Sequence, residues 1–96
     1  MLITKGVTTG EVVTLKLASG EELIGKLTED TDTHYVIERP LTLVMTPQGM
    51  GLQPWLLAVD PSKAIRFPKD RVVVCLETAK DMSNQYLQGT TGIALA

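Results

Sequence analysis

The side chains with chemical scope are few. His34 and Cys75 are each the only residue of their kind, so the chain holds no His/Cys set with metal-ligand spacing and no internal disulfide. Glu21 and Glu22 are neighbours at a turn and point to opposite faces, so they make no acid–base pair. Glu29, Asp30 and Asp32 share one short stretch but lack the loop length and terminal Glu of a calcium site, and a run of this kind reads first as a solvated turn. Cys75 stands in an apolar run with no basic neighbour to lower its pKa, which makes it an inert thiol. No Gly-rich phosphate loop and no Ser/His/Asp or Cys/His arrangement is present. Neither an enzyme nor a cofactor is expected.

What is left is binding chemistry. His34 and Tyr35 can stack on or hydrogen-bond to an unpaired base, and such stacking contributes about 1–3 kcal/mol per base whatever the base is. Lys69, with Arg71 just behind it, offers cationic donors to phosphate. The plainer alternatives are a strand-starting pair with Tyr35 in the core, and a solvated turn lysine. Trp55 packs in the core or at a contact between subunits. Asp30, Asp32 and Asp70 oppose phosphate by like-charge repulsion.

These residues belong to a chain of 96 residues, the length of one domain. A chain this short buries only about 60–65% of the surface it exposes when unfolded. Small domains make up the deficit with disulfides, metals or partners, and the first two are excluded here, which points to self-association. Nine Lys+Arg against 11 Asp+Glu leave a net charge of −2, excluding a polybasic nucleic-acid or membrane binder but not a local basic ring. No apolar run is long enough to span a bilayer and the first residues lack a secretory pattern, so a cytoplasmic protein with no membrane partner is expected.

The elements read as strands. Val13, Leu15 and Leu17 alternate with polar neighbours, Ser19-Gly20 marks a tight turn, and Leu23, Gly25 and Leu27 resume the alternation. Residues 29–33 form the next turn, and a third strand starts at His34, bends at Pro40 and runs on to Met45. Pro47 to Gly51 is a turn by composition. Trp55 to Val59 reads as a fourth strand, prolonged by Ile65 to Phe67 beyond a bulge or loop, and Arg71 to Leu76 as a fifth. The period then lengthens: Thr78-x-x-Asp81 has capping-box spacing, Ala79, Met82, Tyr86 and Leu87 share one helical face, and Gly89 is a natural stop. The expected fold is all-β, a five-stranded, strongly bent antiparallel SH3-like barrel over about residues 10–77, a C-terminal helix over 78–88 and an apolar tail over 89–96.

The fourth and fifth strands are apolar on both faces, and an exposed edge of that kind is an aggregation site unless covered. A second copy covers it if the fourth strand (Trp55, Leu57) pairs with a neighbour's fifth (Val72, Val73, Val74), a head-to-tail contact that closes into a ring. Cover by the helix and tail of the same chain is the alternative.

The first hairpin, Val13-x-Leu15-x-Leu17-x-x-Gly20-x-x-Leu23-x-Gly25-x-Leu27, followed at a distance by the valine-rich strand after Asp70, resembles the Sm-like (Sm/LSm/Hfq) superfamily over about residues 10–77. The resemblance implies a bent five-stranded barrel in homo-oligomeric rings of about five to seven subunits, with single-stranded RNA bound where two loops meet. In the first loop the family carries an Asp and then Met-Asn. This chain has Asp30-Thr-Asp-Thr-His-Tyr35, so either His34 or Tyr35 takes the Asn place. In the second loop, Phe67-Pro-Lys-Asp70 keeps only Lys69 as a cationic donor. The function implied is RNA binding without catalysis. A ring that serves as a structural or protein-interaction scaffold, or a monomeric SH3-like adaptor, are the alternatives.

Overall fold

The computed structural model describes residues 7–60 and 62–90. Six strands, a 3-10 turn and one helix follow in order: β1 Val12–Leu17, β2 Glu22–Asp30, β3 His34–Thr46, β4 Gly49–Pro54, β5 Ala64–Pro68, the turn Lys69–Arg71, β6 Val72–Glu77 and α1 Lys80–Thr90. All strand pairs are antiparallel.

The β1–β2 hairpin forms where the alternation places it. Gly20 takes φ +106°, a conformation that suits glycine, and its N–H donates to Leu17 O at 2.9 Å. Leu15 pairs with Leu23 and Val13 with Gly25. Val13, Leu15 and Leu23, with Leu17, Leu27, Ile37 and Phe67, form the main core, against which Trp55, Tyr35, Val72 and Cys75 pack partway.

The bend in β3 organises the rest. Arg39, at φ 51°, breaks the strand just before Pro40, and two register shifts interrupt the facing β2 ladder. Each half of β3 then meets a different outer partner: His34–Glu38 pairs with β5, and Leu41–Thr46 with β4. The spatial order is β4-β3-β2-β1-β6, with β5 beside β3. The sheet is not closed. β5 and β6 are consecutive, but β6 pairs with β1 and β5 with β3, so six strands in an open sheet stand where five in a closed barrel were expected.

The fourth strand lies earlier than expected. The turn is confined to Pro47-Gln48, Gly49 adopts φ +117°, and Gly49–Pro54 pairs back along β3 from Thr46 to Leu41. Trp55 N–H then donates to Pro40 O at 3.1 Å, and β3 beyond that point faces another direction. Trp55–Val59 is therefore a loop and not a strand, and Leu57 is 83% exposed in it. Asp60 ends the loop by accepting from Ser62 N–H at 2.9 Å. The expected prolongation at Ile65–Phe67 is β5.

The helix begins two residues late. Thr78 N–H donates to Val12 O at 3.1 Å, and the Thr78 and Thr14 hydroxyls meet at 2.8 Å, which extends the β1–β6 contact where a cap was read. Tyr86 and Met82 of α1 pack on Val12, Ile24 and Leu41, forming a second core on the other side of the sheet. The helix continues through Gly89 to Thr90, and the apolar tail beyond it lies outside the described residues. No described helix is long and apolar enough to cross a membrane.

Candidate nucleic-acid interface at two loops

The β2–β3 loop is tightened by threonines. Thr31 Oγ1 accepts from His34 N–H at 3.1 Å and from Thr33 N–H at 3.3 Å, while Thr31 N–H donates to His34 O at 2.9 Å. Thr33 Oγ1 lies 3.1 Å from His34 Nδ1 and restrains the imidazole. The second loop docks on the first: Lys69 N–H donates to Thr33 O at 2.8 Å, and His34 pairs with Pro68 at the end of β5. The bend in β3 and the 3-10 turn thus bring His34, Tyr35 and Lys69 to one corner of the sheet.

At that corner the Lys69 ammonium is already engaged. It lies 2.7 Å from Asp30 Oδ1 and 4.7 Å from the centroid of the Tyr35 ring, an ion pair and a cation–π contact on one nitrogen. The hydrogen bond to Asp30 is the main cause holding the Lys69 pKa above the usual lysine value. Burial is the main cause raising Tyr35, with the Cys75 thiol adding to it. Burial likewise pushes Cys75 up to about 11, so it is a weak nucleophile. Asp30→Asn should let the Lys69 pKa fall back toward its ordinary value, followed by NMR titration of the side-chain amine. Thermal stability should barely change, since exposed ion pairs contribute little. An unmoved lysine titration would show that Asp30 does not hold it.

Arg71 leaves this cluster. It stands at the far end of the 3-10 turn, its carbonyl accepts from Ala18 N–H at 2.8 Å, and it lines a groove with Trp55. Val72 is half-buried, whereas Val73 is 69% and Val74 40% exposed on β6. Among the described residues no group of three His, Cys, Asp or Glu side chains is placed to hold a metal.

Sequence reasoning missed two features. Asp30 reads there as a source of repulsion, not as the direct partner of Lys69. Arg66 shows only as a charge inside the Ile65-Arg66-Phe67 alternation, with no local sign that it faces Trp55 and Arg71 across a groove. No protein-family model matches the chain, and no curated protein matches it.

Proposed function

We propose that the chain is a subunit of a closed homo-oligomeric ring, an Sm-like barrel in architecture, whose rim loops bind single-stranded RNA without catalysis. The observation that carries this reading is the pair of unpaired edges that flank one 3-10 turn. β6 has β1 on one side and nothing described on the other, and β5 has only β3. β6 also exposes Val73 and Leu76, at 69% and 58%, an unprotected apolar edge of the kind that closed assemblies remove. Joining one copy's β5 to the next copy's β6 completes both sheets and brings the His34, Tyr35 and Lys69 rims into one circle. Repetition around that circle raises the avidity of a weak single site. Five to seven subunits and a cytoplasmic setting complete the proposal.

The ion pair at the rim favours a second reading, a scaffold ring that does not hold RNA. Asp30 occupies the cation a phosphate needs, and RNA must displace it.

Light scattering after size exclusion tests the ring. Val73→Asp should leave the folded monomer intact, because the side chain is mostly exposed there, yet abolish assembly by placing an unpaired charge in a buried seam. A wild-type chain of monomer mass, or a Val73→Asp variant that still assembles, would refute this seam. Filter binding of poly(U) and poly(A) at two salt concentrations tests the rim: binding should weaken with salt and fall in Lys69→Ala. An assembled ring that retains neither polymer at low salt is the scaffold.

A further inference from the structure

We propose that the groove between the β1–β2 turn and β5 binds a planar anion the size of a nucleoside monophosphate, at a site separate from the Tyr35–Lys69 rim. The groove is an open cleft of about 260 Å³. Its apolar lining comes from Leu17, Phe67, Pro68 and Trp55. The Trp55 and Phe67 rings lie 5.0 Å apart at 36°, and the indole N–H donates to Glu21 Oε2 at 2.9 Å, so the indole is fixed from two directions.

Arg66 and Arg71 line the same groove from β5 and from the 3-10 turn. Among the described residues neither has a carboxylate within ion-pair distance, the one such pair being Lys69–Asp30. Glu21 accepts from Ser19 Oγ and the Trp55 indole; these hydrogen bonds lower its pKa and keep it ionised, so the two guanidiniums must outweigh its charge. Two arginines without a carboxylate partner among the described residues, lining one groove with Trp55 on a chain of net charge −2, make a local anion site. A phosphate suits the two guanidinium forks, and a flat base suits the aromatic lining. The volume falls just below the range of pockets for drug-sized ligands, a scale that suits a single nucleotide.

Trp55 is the only tryptophan, so its fluorescence reads the groove directly. The full chain, in the assembly it forms, is titrated with AMP, with ribose 5-phosphate and with a short acidic peptide, with excitation where the nucleotide does not absorb. AMP should give a saturable change in Trp55 emission, and ribose 5-phosphate should bind about tenfold or more weakly, as loss of one stacked base implies. Arg66→Gln combined with Arg71→Gln should weaken AMP by about tenfold or more, since two charge-assisted contacts are lost. Both side chains are exposed, and circular dichroism checks that the fold is kept.

No saturable change with millimolar AMP, or equal affinity in the double variant, overturns the proposal. Equal binding of ribose 5-phosphate overturns the planar part, and a response to the peptide alone makes the site a peptide groove. The site does not depend on the rim: Lys69→Ala should leave AMP affinity unchanged. AMP binding without retention of poly(U) removes the rim reading and keeps this one, and poly(U) retention without an AMP response does the reverse.

Discussion

Gly25→Val should leave no folded protein at room temperature, and Gly25→Ala should already cost about 2–3 kcal/mol, the upper part of the usual range for overpacking. Gly25 lies in β2 opposite Val13, at the register shift between Ile24 and Lys26 on the ladder with β3. A Cβ there would overlap Ile37 Cγ2, and it would lie 3.1 Å from Glu38 O and 3.4 Å from Pro40 Cα. Ile37 is fully buried in the main core and has nowhere to turn, and the other two contacts are backbone at the β3 bend. Valine adds two more methyl groups to the same space. A domain of this length holds a total stability of about 5–14 kcal/mol, so a loss of this kind consumes much of it. For Gly25→Ala the melting temperature, followed by circular dichroism, should drop by roughly 8–24 °C. Gly51→Ala is the control: its Cβ would meet only Thr46 and Val44 methyls at 3.8 Å, ordinary contact distance. Equal melting temperatures for Gly25→Ala and wild type would remove close packing at the bend as the reason for this glycine.

Tyr86→Ala should strip α1 from the sheet at a cost of about 3–5 kcal/mol, the range for deleting a large buried aromatic. Tyr86 is 2% exposed among Val12, Ile24 and Leu41. Its hydroxyl donates to Glu38 O at 2.8 Å and lies 3.2 Å from Arg39 O, so the helix holds the same bend that Gly25 permits. Tyr86→Phe keeps the packing but leaves those carbonyls without that donor, at a cost of about 1–2 kcal/mol.

The same burial makes stability fall in alkali. It pushes the Tyr86 hydroxyl up to about 12 and the Cys75 thiol up to about 11. Below about pH 7.5 both groups are neutral, folded or unfolded, and have no effect. Above that the unfolded chain releases the thiol proton first and the phenol proton from about pH 10, while the folded chain keeps both. The unfolded state then binds fewer protons, so stability falls with rising pH, by up to about 1.4 kcal/mol per pH unit for each group in its window. Denaturant midpoints at a series of pH values should show this decline, shallower in Tyr86→Phe between pH 10 and 12. An identical slope in the variant would show that Tyr86 does not carry the effect.

The β1–β2 hairpin was legible because its signals are local. Period-two alternation of Val13, Leu15, Leu17, Leu23 and Leu27 aims those side chains one way, and Gly20 supplies the one conformation a tight turn needs. The valine strand at 72–77, the start of β3 at His34 and the helix around Tyr86 follow from the same short-range rules. The docking of Lys69 on Thr33 and on the Tyr35 ring, beside His34, joins two loops far apart in sequence. Trp55–Val59 shows where such rules end. An apolar run states that it is to be covered but not by what, and the partner it lacks was taken away by the bend at Arg39 and Pro40, a turn in space made elsewhere in the chain. The hold of Asp30 on Lys69 and the meeting of Trp55, Arg66 and Arg71 are likewise decided by tertiary structure alone. Turn and strand preferences act over a few residues, whereas a charge pair or a groove depends on distances between segments that only the folded sheet sets.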